Sequence, residues 1–384
     1  MRIIAAHPDR SSIDAFAQVF QDLGVLKRYL VCVRNLPPWL DPALAVKNVP
    51  LGALRVGGAI LLPPKLGESW QYSLFPLFGR WAAKFVEPGD WILSSFGYGN
   101  EAFAKVRRLG GVTLNNAGNS HPQFFWDINR EEHDRWGVRA DPILKSQFHR
   151  TLAMTALSDY FFVPSSFVRQ SFLKHGIAPE RLITASRTVN LQIFQPAPEP
   201  RKVSRDAPFR IVSPGAVSLR KGTLYLLQAF AKLRREIPRA ELILTRQIRE
   251  DCAHLIAPYE KLVTWREAMP HAELARFFQS SDVFVLPSIE EGLARTGLEA
   301  MACGLPVIVT PNTGVNDFVR DGENGFIVPI RDPEAIYQKL LTLATKPELT
   351  FAMGMAAAET MQKLPGNFAC EVKEGLRTIE QPNV

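Results

Sequence analysis

Short apolar runs alternate with amphipathic segments along the whole chain of 384 residues. Residues 2–6, 209–212 and 283–286 are mostly apolar and too short for independent helices, so they predict buried parallel strands. The segment after the first run has helical periodicity as far as Leu23 and stops at Gly24, where glycine is a frequent helix terminator. This repeated strand–helix pattern predicts α/β domains.

The most informative stretch is residues 281–310, SDVFVLPSIEEGLARTGLEAMACGLPVIVT. It predicts a strand over 283–286, a polar loop over 288–295 and a short helix from about residue 296 to 303. Glu291 then lies in the loop and Glu299 in the first turn of the helix. Ligands of doubly wound sheets bind outside the carboxyl ends of the strands. Two carboxylates there, beside helix N-terminal amides, suit a ligand with both hydroxyls and phosphates.

A purely structural interpretation of the same residues is also open. Thr296 and Glu299 have the spacing of a capping box, in which the glutamate side chain bonds the amide of the N-cap residue. Glu290 and Glu291 would then be two solvated loop charges. The two carboxylates alone do not decide between these interpretations.

The complete string resembles the family-4 retaining glycosyltransferases of the two-domain GT-B fold, in their bacterial type. The hallmark of that family is E-x7-E followed by EAMA-x-G-x-PVI, and Glu291 and Glu299 stand at that spacing. Residues 319–336, VRDGENGFIVPIRDPEAI, form another stretch typical of the family. The resemblance is close over residues 155–345 and loose over the first 155.

This resemblance implies an α/β chain of GT-B type, with two Rossmann-like doubly wound domains facing one another across a cleft. Residues 1–195 would form the N-terminal acceptor-side domain, and residues 209–364 the C-terminal domain that binds the nucleotide-sugar. Residues 196–208 are rich in proline and charge without periodicity, which indicates a linker. The tail, residues 365–384, is expected to pack back on the N-terminal domain.

The resemblance also assigns roles to particular residues. Glu291 would bind hydroxyls of the donor sugar and Glu299 the ribose diol. His121, which follows a predicted strand, corresponds to a histidine that lies against the donor sugar. The alternative is a turn histidine before Pro122 that is hydrogen-bonded locally. The backbone amides that would approach the sugar and phosphates are those of Gly292, Leu293, Ala294 and Arg295.

Two cations precede a predicted helix that begins near Thr223. Arg220 and Lys221 lie where the helix dipole and free amides already favour a phosphate. A diphosphate leaving group needs positive charge, because charge builds on it as the bond to the sugar breaks. Family members usually carry an arginine where this chain has Ala216, and Arg220 would supply that charge. The alternative is two solvated loop cations. We therefore expect His121, Lys221 and Glu291 to be catalytic.

The function implied is retaining transfer of a sugar from a nucleoside-diphosphate-sugar to a hydroxyl acceptor. The acceptor would be a glycan or lipid-linked, in cell-surface glycan, exopolysaccharide or lipid-linked glycan synthesis. No Asp-x-Asp metal motif is present, so we expect metal-independent catalysis, with no cofactor beyond the nucleotide-sugar substrate. Two alternatives stay open: a nucleotide-sugar epimerase on the same fold, and a scaffold that has lost turnover. The second is favoured by Ala216, Ala294, Thr188 and Arg246.

Composition narrows the partners and the compartment. The net charge of +7 suits an anionic membrane surface or acidic glycan, and no nucleic-acid motif accompanies it. Four scattered cysteines indicate neither a disulfide framework nor a zinc site. The chain shows neither a signal-peptide pattern nor 18 consecutive apolar residues. We expect a cytoplasmic protein, with peripheral attachment to the inner face of the cell membrane as an open possibility.

Two further segments permit specific expectations. Residues 60–98 carry nine aromatic residues among few charges. They predict either a helix pair packed in the core or an interfacial patch on a membrane surface, where aromatic rings and basic residues are both favoured. Glu131 and Glu132 fall in a helical run and are expected to form a solvated helix face.

Overall fold

The computed structural model of the chain describes residues 1–9, 13–139, 142–186, 189–199, 207–364 and 368–381. Several predictions fall partly outside these ranges. The residues of these predictions that lie outside the described ranges are Thr188, residues 200–206 of the predicted linker, and residues 365–367 and 382–384 of the tail.

The N-terminal domain is built on a seven-stranded parallel sheet with the order β3-β2-β1-β4-β5-β6-β7. Its strands are β1 Ile3–Ala6, β2 Leu26–Val31, β3 Ala45–Lys47, β4 Trp91–Ser94, β5 Val112–Asn116, β6 Tyr160–Val163 and β7 Leu182–Thr184. Its helices are α1 Ile13–Asp22, α2 Val49–Leu61, α3 Pro64–Ser73, α4 Phe75–Ala83, α5 Asn100–Arg108, α6 Pro122–Arg135, α7 Pro142–Leu157 and α8 Ser166–Lys174.

The C-terminal domain is built on a six-stranded parallel sheet with the order β10-β9-β8-β11-β12-β13. Its strands are β8 Phe209–Ser213, β9 Ala240–Thr245, β10 Val263–Arg266, β11 Val283–Leu286, β12 Val307–Val309 and β13 Gly325–Ile327. Its helices are α9 Thr223–Glu236, α10 Glu250–Ile256, α11 His271–Gln279, α12 Arg295–Ala302, α13 Pro333–Thr345 and α14 Pro347–Lys363. A last helix, α15 Phe368–Glu380, contacts α1 and β7 of the N-terminal domain.

Both strand orders run outward from a central pair, which is the doubly wound arrangement. The predicted α/β architecture of two Rossmann-like domains is therefore confirmed. The central strands are apolar on both faces because helices cover both sides of the sheet; all four residues of β11 are buried. The loops at the carboxyl ends of β8 and β11 hold Arg220, Lys221 and Glu291, whereas His121 follows β5 in the other domain.

Of the nine aromatic residues of segment 60–98, two are buried in the N-terminal domain and seven are partly buried. Phe75 and Phe78 are buried, and Phe75 makes an edge-to-face contact with Tyr98. The structure therefore agrees with the packed-helix interpretation, although α2, α3 and α4 are three helices rather than a pair. The strongly exposed apolar side chains nearby are aliphatic: Leu54, Val56, Ile60, Leu61, Leu62, Leu66 and Leu77.

We call these seven residues the aliphatic face of the N-terminal domain. Ile60 and Leu61 are its most exposed members, at 76% and 85%. None of the helices in the described part of the chain combines the length and apolar character needed to cross a membrane.

Helix α6 joins the two domains, and here one prediction is wrong. Glu132 is fully buried rather than part of a solvated helix face. Its carboxylate accepts hydrogen bonds from the Tyr225 hydroxyl and the Arg331 guanidinium, both in the C-terminal domain. A sequence pattern of adjacent glutamates in a polar helix could not show this, because the burying surface comes from residues about 90 and 200 positions away.

Candidate functional site

The loop after β8 is held against the loop after β11 by a close backbone contact. Gly222 has a left-handed backbone, with φ of 65°, and a Cβ atom there would lie 2.0 Å from the carbonyl oxygen of Pro287. Only glycine tolerates both conditions. The Ile289 amide also donates to the Arg220 carbonyl at 2.8 Å. These contacts place Arg220 and Lys221 directly beside Glu290 and Glu291.

These four residues form what we call the charged cluster. The Arg220 guanidinium Nη1 lies 2.9 Å from Glu291 Oε1 and 3.3 Å from Glu290 Oε2, and it donates to the Glu290 carbonyl at 2.7 Å. The Lys221 ammonium lies 2.5 Å from Glu291 Oε1. Both cations predicted from the sequence therefore converge on Glu291, and neither is a solvated loop charge. Glu290 and Glu291 are buried, so the solvated-loop interpretation is wrong for both.

The two glutamates are in different electrostatic environments. Burial alone would raise the pKa of Glu291, but the charges of Arg220 and Lys221 outweigh it and hold that pKa below its usual value. Burial dominates at Glu290 and raises its pKa, although Arg220 opposes the shift. Glu291 is thus the carboxylate held in its charged form, and Glu290 is the more easily protonated of the two.

The charged cluster also touches the N-terminal domain. Glu290 Oε1 accepts hydrogen bonds from the Ser120 amide at 3.0 Å and from the Ser120 hydroxyl at 2.8 Å. The backbones approach closely beside it, because a Cβ atom on Gly292 would lie 1.7 Å from the Gly118 carbonyl oxygen. The Ser165 hydroxyl donates to the Gly292 carbonyl at 2.6 Å. The loops that follow β5 and β6 thus meet the loop that follows β11 across the cleft.

The predicted capping box at α12 is absent. The helix begins at Arg295, one residue before the predicted start, and its N-cap is Ala294, which makes no side-chain cap bond. Glu299 is buried and lies 3.4 Å from the Arg295 guanidinium. Burial raises the pKa of Glu299 despite that cation and the nearby His271. Glu299 is the fifth residue of α12, so the expectation that it lies in the first turn is wrong. Its contact with a ligand stays a prediction.

His121 is not brought into contact with the charged cluster, although its neighbour Ser120 is. The imidazole stacks on His175 with ring centroids 4.3 Å apart, and its Nδ1 accepts the Gln123 amide at the start of α6. Burial, followed by the charge of His175, lowers the pKa of His121 to about 4. The local hydrogen bond is the one the turn-histidine alternative expects. A place for His121 beside the donor sugar stays a prediction.

The backbone amides of the loop after β11 are partly committed to the protein itself. The Ala294 amide donates to the Thr313 carbonyl at 3.0 Å, and the Glu291 amide donates to the Asn312 carbonyl at 2.9 Å. Of the four amides assigned from the resemblance, the one at Ala294 therefore already has a protein partner. A donor-binding role for the amides of Gly292, Leu293 and Arg295 stays a prediction.

Three residues that connect the two domains were not predicted as such from the sequence: Glu290, which was treated as a loop charge, and Ser120 and Ser165. Glu290 links the domains by accepting from Ser120, and Ser165 links them separately by donating to the Gly292 carbonyl. The available signal was position: Ser120 ends the polar run NNAGNS after β5, and Ser165 follows β6, so both lie at carboxyl ends of parallel strands. Among the described residues, no three side chains of types that bind metal ions are grouped together.

Comparison with known sequences identifies the class of the C-terminal domain. Residues 208–346 match the family Glycosyl transferases group 1, so this segment is a glycosyl transferase domain of that group. EpsD of Bacillus subtilis, named as a glycosyltransferase, is 32% identical over 163 residues, covering 41% of this chain and 42% of EpsD. The matched part of this chain thus spans less than half the length of such curated relatives.

Solved structures show the fold of the whole chain. Sucrose-phosphate synthase from Thermosynechococcus elongatus aligns over 100% of both chains with a TM-score of 0.71 at 18% identity. HepE of Anabaena, solved in complex with UDP and glucose, covers 98% of this chain and 100% of its own with a TM-score of 0.65 at 14% identity. The two domains have the GT-B arrangement of these glycosyltransferase structures.

Proposed function

We propose that this protein is a retaining glycosyltransferase that moves a sugar from a nucleoside-diphosphate-sugar to a hydroxyl acceptor. The observation that carries the proposal is the convergence of Arg220 and Lys221 on the buried Glu291. That cluster lies at the carboxyl ends of β8 and β11, inside a domain of the group 1 glycosyl transferases. It is also directly bonded, through Glu290, to the facing domain.

Arg220 and Lys221 are proposed to hold the diphosphate. They lie beside the N-terminus of α9, whose N-cap Gly222 makes no side-chain cap bond, so the helix dipole adds to their charge. In the transfer, the bond from the sugar to the β-phosphate breaks and a bond to the acceptor oxygen forms. The products are a nucleoside diphosphate, a glycoside and the acceptor hydroxyl proton. Both cations stabilise the charge that develops on the leaving diphosphate. We further propose that the transfer needs no metal ion.

The glutamates are proposed to bind the rest of the donor. Glu291, held in its charged form by the two cations, would accept hydrogen bonds from the sugar hydroxyls. Glu299, the fifth residue after the N-cap of α12 and buried, would accept them from the ribose diol. HepE, which shares the fold, was solved with UDP and glucose, and this supports a nucleotide-sugar donor. The acceptor would lie on the N-terminal side, against the loop that ends at Ser120.

A second part of the proposal is peripheral attachment to an anionic membrane surface. The aliphatic face supports it, because seven large apolar side chains are exposed within residues 54–77 of one domain. The net charge of +7 would add attraction to anionic lipid. A lipid-linked or glycan acceptor is the partner class that this placement suits.

The experiment that tests the proposal is a donor panel with the purified protein. UDP-, GDP- and ADP-sugars are supplied with glycan acceptors, and released nucleoside diphosphate and new glycoside are measured together. Proton NMR of the product then gives its anomeric configuration, which retention requires to match the donor. Conversion of one nucleotide-sugar into another without release would instead show an epimerase. Tight nucleotide binding without any conversion would show a scaffold that has lost turnover.

A further inference from the structure

A cavity lies in the N-terminal domain immediately behind the loop that meets the charged cluster. Its volume, counted as the space open to the centres of water molecules, is about 80 Å³, which is room for several waters or a small apolar group. The loops after β4 and β5, the start of α6, and α7 surround it. Asn119 and Ser120 are part of its lining and also contact Glu290, so the cavity adjoins the proposed site of transfer.

The exposed surface inside this cavity is mainly apolar, although half of its lining residues are uncharged polar residues, and none of them carries a charge. None of its lining residues is Asp, Glu, Lys, Arg or His. Four phenylalanine rings line it, those of Phe96, Phe125, Phe148 and Phe172. A phosphate or carboxylate would find no counter-charge inside, and moving such a group from water into this space would cost several kcal/mol.

Several polar groups in the walls already have partners within the protein. The Asn115 side-chain amide donates to the Ser158 hydroxyl at 3.0 Å. The Thr151 and Thr155 hydroxyls donate to carbonyl oxygens one turn earlier in α7, at 2.9 and 3.0 Å. Two further polar lining residues, Asn119 and Ser120, bond Glu290, so at least five of the seven polar lining residues have a partner within the protein. The phenylalanine rings are the main surface that the cavity offers to a ligand. This composition favours an apolar ligand over one that needs many hydrogen bonds.

The position of Phe96 requires backbone strain. Its φ is 51°, and it is one of two non-glycine residues with positive φ in the described ranges. Its ring lies against Gly118, where a Cβ atom would be 2.8 Å from the ring carbon Cζ. A bulky residue in the left-handed region is energetically unfavourable, and such residues concentrate at ligand sites. The strain holds an aromatic ring over the loop that leads to Ser120.

We infer that this cavity receives an uncharged apolar group of the acceptor, next to the hydroxyl that is glycosylated. The inference rests on the proposed function and names the acceptor class: a glycoside or alcohol with an aromatic or hydrocarbon aglycone. Helix α7, which forms one wall, packs against α3, which carries Leu66 of the aliphatic face. A hydrocarbon chain from a membrane and a soluble aromatic aglycone share this chemistry.

Calorimetric titration separates the two sources and tests the inference. Methyl, phenyl and octyl β-D-glucopyranoside share one sugar, and the octyl compound is kept below its micelle concentration. Each is titrated into the full chain in the presence of the nucleoside diphosphate that binds best. We expect the phenyl or octyl compound to bind at least about tenfold more tightly than the methyl compound, because burying the aglycone removes apolar surface from water. A preference for phenyl indicates an aromatic aglycone, and a preference for octyl indicates a lipid chain.

Two variants fill the cavity from α7, and one matched variant does not. Thr151→Phe and Gln147→Trp add bulk at lining positions, whereas Lys145→Trp adds it at an exposed position of the same helix that is not part of the lining. The filling variants should bind the methyl, phenyl and octyl glucosides with about equal affinity. Lys145→Trp should keep the wild-type preference for the phenyl or octyl compound. Nucleoside diphosphate affinity should stay unchanged in all three.

The outcomes separate the inference from the function on which it rests. Equal affinity of the wild-type protein for the three glucosides, with normal nucleotide binding, would overturn the inference alone. A preference that persists in both filling variants would also overturn it. Absence of nucleotide binding in the wild-type protein would instead count against the proposed function.

Discussion

The Glu132 carboxylate and the Arg331 guanidinium form a buried ion pair between the two domains, with Nε 2.6 Å from Oε2. The other oxygen of Glu132 accepts the Tyr225 hydroxyl at 2.7 Å and the Trp136 indole N–H at 2.9 Å. Arg331 also reaches Glu131, which is largely exposed, at 2.7 Å. One cation therefore has a buried partner and an exposed partner at adjacent positions of the same helix.

This arrangement predicts different stabilities for two neighbouring alanine variants. Glu132→Ala should lower the free energy of unfolding by about 3–5 kcal/mol, because it leaves a largely buried guanidinium and two polar groups without their acceptor. Glu131→Ala should cost about 1 kcal/mol or less, since its pair is open to solvent. Urea unfolding of both variants gives the comparison. Equal losses would show that the buried pair does not stabilise the domain contact.

Neutralising the two site glutamates should have different effects on nucleotide affinity. Glu299→Gln should weaken the binding of free nucleoside diphosphate, because a neutral amide is a weaker acceptor for the ribose diol. Glu291→Gln should leave that affinity equal or raise it, since the carboxylate competes with phosphate for Arg220 and Lys221, while sugar transfer falls. Calorimetry and initial rates on the two variants measure both effects. If both variants bind and transfer as the wild-type protein does, neither carboxylate contacts the donor.

The lowered pKa of His121 predicts a pH-dependent stability. Its pKa is about 4 in the folded protein against an ordinary value of 6.5, so the unfolded chain binds the proton more readily. The contribution of His121 to the free energy of unfolding therefore keeps its full value above pH 6.5 and decreases as the pH falls towards 4. The loss due to His121 is roughly 2 kcal/mol at pH 4.5. His121→Asn keeps an N-cap acceptor but does not titrate. Its unfolding free energy, measured by urea at several pH values, should fall less steeply than that of the wild-type protein. Identical slopes would refute the burial of a neutral imidazole.

The fold was predictable because its signals are local. Apolar runs such as that of β11, the glycine after α12 and the spacing of Glu291 and Glu299 are all contained within about thirty residues. Those signals identify a parallel α/β domain before any tertiary contact is known. The predicted helix at α12 differs from the observed one by a single residue at each end.

The contacts of the charged cluster and of α6 were not predictable, because they join distant parts of the chain. Glu290 and Ser120 are 170 residues apart, and Glu132 and Arg331 are 199 apart. A single sequence does not show which polar residue will face which. The predicted capping box is absent because the helix begins at Arg295, which places Thr296 inside its first turn. Glu299 pairs with Arg295 instead.

Membrane attachment predicts a specific dependence on the aliphatic face. Replacing Ile60 and Leu61 together by asparagine should lower partitioning into anionic vesicles at least about tenfold, because two exposed apolar side chains no longer insert. Phe351→Asn, which alters an exposed apolar residue of the C-terminal domain, is the control and should partition normally. Partitioning should also weaken as salt rises, since charge contributes to it. Equal sedimentation of both variants with vesicles would exclude this face as the contact.

The most direct test of the central claim is nucleoside diphosphate binding by the charged cluster. UDP, GDP and ADP are titrated calorimetrically into the wild-type protein, the double variant Arg220→Ala/Lys221→Ala, and Lys232→Ala. Lys232 is the control cation: it lies in α9, the helix that follows Arg220 and Lys221, and pairs with Glu334 on the surface. We predict that at least one diphosphate binds the wild-type protein and Lys232→Ala alike, and binds the double variant at least about 30-fold more weakly, as expected for lost charge-assisted hydrogen bonds. Equal affinity in all three proteins, or no binding to the wild-type protein, would contradict the assignment of Arg220 and Lys221 to the diphosphate.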